Sequence, residues 1–94
     1  MRITHVKISL KDDEKLKAFA TVTLDDCFVV RGLKVIHGAG RLFVAMPARR
    51  KHDGSFQDIA HPIHAEARRL FEDRVLDEYQ RVCRESPPPS GAEA

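Results

Sequence analysis

Along the first half of the chain, apolar and polar positions alternate. In the segment 2–10, Val6, Ile8 and Leu10 stand on one side and Lys7 and Ser9 on the other. A side-chain period of two belongs to a strand with one face in a core and one in water. The charged cluster Lys11–Lys15 (KDDEK) then turns the chain, and the β-rich run Leu16–Leu24 predicts a second strand that forms a hairpin with the first. Asp25-Asp26 breaks the pattern, which resumes from Cys27 to His37 with Gly32 as an interruption that predicts a bulge or bend. Gly38-Ala39-Gly40 marks a further turn. The apolar run Leu42–Met46, closed by Pro47, predicts a buried fourth strand.

Beyond Pro47 the pattern changes. Ala48–Ser55 (ARRKHDGS) is polar and contains Asp53-Gly54, a hairpin-turn signal, and Phe56–Ala60 predicts a short last strand ended by Pro62. From about His64 to Arg84, the residues Ala67, Leu70, Phe71, Val75, Tyr79 and Val82 recur at helical spacing. They predict one amphipathic helix of about five or six turns, with Glu66 early and Arg81 and Arg84 late to suit its dipole. The expected architecture is α+β: an antiparallel meander of four to five strands with one C-terminal amphipathic helix over one face. That domain is expected to span 1–84, and the stretch 85–94 (ESPPPSGAEA), lacking apolar anchors, is expected to be disordered. Phe19, Phe28, Phe43, Phe56, Phe71 and Tyr79 are expected in the core, since no basic-aromatic motif of an RNA-binding sheet surrounds them.

Composition narrows the class. With 94 residues, 43% hydrophobic and 32% charged, the chain is an ordinary globular domain, too apolar for disorder. A domain of this size hides only about 60% of its unfolded surface, so pairing with another copy is expected to add stability. No apolar run reaches the roughly 20 residues of a membrane span, and Met1-Arg2-Ile3-Thr4-His5 lacks the apolar stretch of a secretory signal; a cytoplasmic protein with no membrane partner is expected. Cys27 and Cys83 are far apart and in unlike surroundings, which speaks against a disulfide framework. The net charge of +2 is too small to imply a polyanionic partner, so the placement of charge must decide.

Placement singles out Arg49-Arg50-Lys51-His52, with Arg41 upstream and no acid between Leu42 and His52. On a hairpin at a sheet edge such a loop can lay guanidinium forks on phosphates; the same residues also suit a solvated turn. In the helix, Arg68, Arg69, Arg74, Arg81 and Arg84 balance Glu66, Glu72, Asp73, Asp77 and Glu78. Arg68 and Arg69 could reach a groove or phosphates, or pair with acids three and four residues away. His61 and His64, near Asp58 and His52, raise a metal site or acid–base cluster. Pro62 separates the two histidines at a strand-to-helix junction, which leaves ligand directions unfixed, and a hydrogen-bonded or capping histidine is expected instead. No nucleophile elbow, triad or phosphate loop occurs. Neither metal nor cofactor, neither catalysis nor a small-molecule substrate is expected.

The stretch Leu42-Phe43-Val44-Ala45-Met46-Pro47-Ala48-Arg49-Arg50, continuing through Asp53-Gly54-Ser55-Phe56-Gln57-Asp58-Ile59-Ala60-His61-Pro62-Ile63, closely resembles the signature of the SpoVG family (stage V sporulation protein G, septation protein). So do Thr23–Val30 and Leu33-Lys34-Val35-Ile36, and the likeness runs from Met1 to about Val82. The resemblance implies a strand-rich domain that dimerises through its sheet. It also implies a bacterial, site-selective DNA-binding regulator, with RNA bound by some members, linked to sporulation and to restraint of asymmetric septation. Two basic residues after the Met-Pro pair bind DNA in that family and fall on Arg49 and Arg50. The helix tunes sequence preference, which involves Arg68, Arg69 and Arg74. Relatives more often carry Lys-Arg where this chain has Arg49-Arg50, a change that keeps the charge and adds a second bidentate donor. The competing expectation is an adaptor of the septation machinery that pairs an exposed sheet edge with a partner strand and binds no nucleic acid.

Overall fold

A computed structural model describes residues 1–85. Four strands, β1 (Ile3–Leu10), β2 (Leu16–Leu24), β3 (Phe28–Gly38) and β4 (Arg41–Ala45), form an antiparallel sheet in the order β1-β2-β3-β4. Two three-residue strands, β5 (Ala48–Arg50) and β6 (Phe56–Asp58), make a separate antiparallel ribbon, and helix α1 (Ala65–Glu85) follows. The α+β expectation holds, with β5 emerging inside the stretch read as polar loop. Glu85, with which the expected tail begins, is the last residue of α1; positions 86–94 of that tail lie outside the described residues.

The turns follow from local chemistry. Asp25 and Asp26 both take positive φ, and the Cys27 amide donates to the Leu24 carbonyl at 3.0 Å, so Leu24–Cys27 is a tight turn whose twist matches the flanking strands. Ala39 and Gly40 repeat that geometry between the paired residues Gly38 and Arg41. At Gly32 the expected bulge is present: Ala20 pairs with Leu33 but Val22 with Val30, so Arg31 and Gly32 oppose Thr21 alone, and Gly32 takes φ +85°. A second shift, between Ile3 and His5, explains why Ile3 is buried out of phase with Val6.

Inward-facing partners stack across the sheet in register: Val6 opposite Val22, Ala18 opposite Val35, Ala20 opposite Leu33, and Val35 opposite Val44. The helix lays Phe71 and Val75 on this surface, leaning chiefly on β1 and β4, and Leu33, Val22, Val35, Val44 and Val75 are fully buried. Arg74 ties helix to sheet by donating from Nη1 to the Ile3 carbonyl at 2.7 Å. The N-terminus of α1 is closed by His64, whose Nδ1 accepts the Ala67 amide at 3.1 Å; of the two roles expected for the histidines, hydrogen-bonded or capping, His64 takes the cap, although its side chain is a poorer N-cap than Ser, Thr, Asp or Asn.

The aromatic expectation needs correction. Phe71 is buried and Tyr79 packs against the core, but Phe19 and Phe43 are half-buried, and Phe28 and Phe56 are 64% and 68% exposed. Phe19 lies on β2 between the inward Ala18 and Ala20 and so points to the other face, where the Lys11 ammonium covers its ring at 5.3 Å. Helix α1 covers one face of one sheet, so aromatics outside that footprint remain in contact with water.

Candidate nucleic-acid interface

The β5–β6 ribbon projects from a buried base. Met46 and Pro47 are buried where the chain leaves β4, and the Ile59 amide donates to the Pro47 carbonyl at 2.7 Å, closing the ribbon at its root. At the tip, the Lys51 amide donates to Ser55 and the Gly54 amide to Lys51, with Gly54 at φ +90° supplying the reversal. Asp53 Oδ1 accepts both the Ser55 amide at 2.9 Å and the Ser55 hydroxyl at 2.6 Å. Those bonds, the hydroxyl first, hold the Asp53 carboxyl below its ordinary pKa. A charged Asp53 is thus occupied with the turn.

Every residue from Ala48 to Asp58 is exposed. Register pairs Arg50 with Phe56 and Arg49 with Gln57, so the two arginines lie on opposite faces of the ribbon. Arg49, Arg50, Lys51, His52, Asp53 and Gln57 line an open groove of about 500 Å³. Among the described residues, the carboxylate ion pairs are those of Arg81 with Glu78 and Glu85, so Arg49, Arg50 and Lys51 carry no carboxylate partner. Three unpaired cations on a narrow two-stranded ribbon are free to meet phosphates, and a ribbon of this kind has the cross-section that the DNA major groove admits.

The other basic candidates are dispersed. Arg41 begins β4, roughly 17 Å of extended chain before Met46 at the ribbon's root. Arg68 and Arg69 are exposed in the first turns of α1, and Arg69 borders an apolar groove of about 920 Å³ with Phe28, Val30, Ile63 and Leu70. Arg74 is engaged with Ile3. Arg81 is committed to Glu78 and Glu85, and its guanidinium bond pulls the Glu78 carboxyl below its usual range. Of the histidines, His64 caps the helix and His61 Nδ1 lies 3.0 Å from the Pro62 carbonyl. Among the described residues, no group of three or more His, Cys, Asp or Glu side chains is placed to hold a metal. No helix of the described residues is long and apolar enough to cross a membrane.

Pattern reading missed Phe56 and Gln57 as ribbon residues, because a short β-rich run following a turn reads as the end of a core sheet. The one available signal was the polar character of the facing strand, which leaves a partner no apolar surface to pack on.

Fold and site together define a small α+β domain that carries three exposed cations, Arg49, Arg50 and Lys51, on a ribbon outside its core. The family model of SpoVG matches residues 1–81. The chain is 55% identical over 93 residues to a protein of Anaeromyxobacter sp. (strain Fw109-5), covering 97% of this chain and 96% of that one. Similarity to proteins of Myxococcus xanthus (52% over 81 residues; 86% of this chain, 82% of the relative) and Acetivibrio thermocellus (49% over 84 residues; 88% and 89%) is of the same kind. All three relatives bear the name "Putative septation protein SpoVG". This chain belongs to the SpoVG family.

Proposed function

We propose that this protein is a cytoplasmic, site-selective DNA-binding regulator, able also to take RNA, that acts as a homodimer in the control of septation and sporulation. It performs no catalysis. The observation that carries the reading is the ribbon: among the described residues, Arg49, Arg50 and Lys51 stand exposed and without carboxylate partners on a projection that contributes no side chain to the core. Arg49 and Arg50, facing opposite ways, can address phosphates on both walls of a groove. Arg68 and Arg69, exposed on the early helix, supply the remaining reach.

Pairing of two copies is supported by the sheet. β4 pairs with β3 only over Lys34–Gly38, so Phe28–Leu33 keeps one strand edge without a main-sheet neighbour. Phe28 and Val29 are exposed there, beside the apolar groove that runs to Ile63. That same edge favours the second reading, an adaptor that takes a partner strand.

Anisotropy titration of a labelled duplex with wild type and Arg49→Ala/Arg50→Ala separates the two. Loss of most affinity in the variant, with circular dichroism unchanged, is the expected result. Equal binding by both proteins, or binding by neither, overturns the regulator reading in favour of the adaptor.

A further inference from the structure

We infer that Phe56 is a stacking platform for an unpaired nucleobase, so that the ribbon takes single-stranded nucleic acid through a ring face as well as through phosphates. This rests on the reading of the ribbon as a nucleic-acid interface and adds to it a residue and a ligand form.

Phe56 is 68% exposed on an element otherwise made of Ala48, Arg49, Arg50, Lys51, His52, Asp53, Gly54, Ser55, Gln57 and Asp58. A ring that packed for stability would face the core; this one sits on a ribbon that none of the described helix or main-sheet elements covers extensively. Nor does it border the apolar groove between β3 and α1, which is lined by Phe28, Ile63 and Leu70. The only cation held over an aromatic ring among the described residues is Lys11 on Phe19, so the face of Phe56 is not covered by Arg50.

Register sets Arg50 directly opposite Phe56, which puts the two side chains on one face at the spacing of a cross-strand pair, about 5 Å between Cβ atoms. A nucleotide's base and its phosphate are separated by one sugar, so a base lying on the ring leaves its phosphate within reach of the neighbouring guanidinium. Asp58 shares that face but stands at the ribbon's root opposite Ala48, on the far side of Phe56 from the cationic tip. A duplex offers base edges and backbone but hides its base faces. An unpaired base can present a π-face to a flat aromatic side chain that has the Arg50 guanidinium as its cross-strand neighbour.

The chain contains no tryptophan, so Phe56→Trp introduces a single fluorophore at the site. The test titrates wild type, Phe56→Ala, Phe56→Trp and Arg49→Ala/Arg50→Ala with oligothymidylate, oligouridylate and a duplex of equal length. Phe56→Ala is expected to weaken both single strands by between about five- and a hundredfold, the range of one base–aromatic stack, and the duplex by less than about twofold. The tryptophan of Phe56→Trp is expected to be quenched by single strands and not by duplex. Equal losses on single strand and duplex, no loss at all, or an unquenched tryptophan overturns the inference. A Phe56→Ala protein that changes its mass in solution also overturns it, by making the ring a contact between copies. If the arginine variant binds as wild type does, the phosphate grip fails while the Phe56 result stands separately; if wild type binds none of the probes, both fall.

Discussion

Replacing Arg49 and Arg50 by alanine changes the salt dependence of binding by an amount that follows from the structure. Each ribbon exposes three cations without carboxylate partners among the described residues, Arg49, Arg50 and Lys51, so the proposed dimer would bring six to a duplex. If each releases the counterions of one phosphate, log affinity falls with log salt at about 0.9 × 6, a slope of about −5.4. The double variant keeps two such cations per dimer and a slope of about −1.8. Between 50 and 200 mM salt, a change of about 0.6 log units, wild type loses about three decades of affinity and the variant about one. The assay is fluorescence anisotropy of a labelled duplex across that salt series, with both proteins first shown to be dimers of native circular dichroism. Parallel slopes would refute the reasoning even if the variant bound more weakly, because a loss independent of salt cannot come from phosphate contacts.

Other outcomes follow from the scaffold. Arg74→Ala should lower the unfolding free energy by about 1.5–3 kcal/mol in urea, the range for a hydrogen bond from a charged donor, because it leaves the carbonyl of the buried Ile3 without that partner. Ala39→Gly should raise stability by about 1 kcal/mol, since Ala39 holds φ +51° where a Cβ is disfavoured; an unchanged midpoint would mean that the turn relaxes without cost. Tyr79, the single tyrosine, is pushed up to about 12 by burial and then by its bond with Cys83. Ultraviolet titration should therefore find its ionisation well above pH 10, lowered in Cys83→Ala. The neutral phenol is the form the fold favours, so its contribution is intact below pH 10 and is lost as the pH rises from 10 towards 12.

What the sequence disclosed divides along a physical line. Elements that bury one face leave a periodic trace: β1, β3 and β4 were legible from Val6, Ile8, Leu33, Val35 and Val44, β2 from the β-rich run Leu16–Leu24 that contains the buried Ala18, Ala20 and Val22, and α1 from Phe71 and Val75, residues that do reach the core or pack against it. The bulge at Gly32 was legible because only a residue tolerant of φ +85° sits there without strain. β5 was not, because Ala48, Arg49 and Arg50 bury nothing and their pairing with Phe56–Asp58 leaves no alternation of apolar and polar positions to read. The exposure of Phe28 and Phe56 was hidden for a related reason: apolarity marks a residue as able to enter a core, whereas the limits of the helix footprint are set by tertiary packing. Within the candidate site, the cations were visible as residue types, but their separation onto two faces and the engagement of Arg74 with Ile3 are matters of register and distance.

These placements rank the basic residues by mechanism. The core is closed by β1 to β4 and α1, and the ribbon adds no side chain to it, so charge on the ribbon can vary without altering stability. Arg74 is the converse case: a substitution there unties α1 from β1, and any change in binding that follows includes a change in helix position. Arg69 lies between these limits. It borders the groove that also contains Met46 from the ribbon's root, so the early helix and the ribbon occupy the same end of the molecule, whereas Arg41 is at the other end of β4. Neutralising Arg41 should therefore lower affinity only through long-range attraction, screened beyond about 8–10 Å at ordinary salt, while neutralising Arg68 and Arg69 should act at close range. An Arg41→Ala loss as large as that of Arg49→Ala, persisting at high salt, would require the nucleic acid to cross the length of β4 and would displace the ribbon as the principal contact.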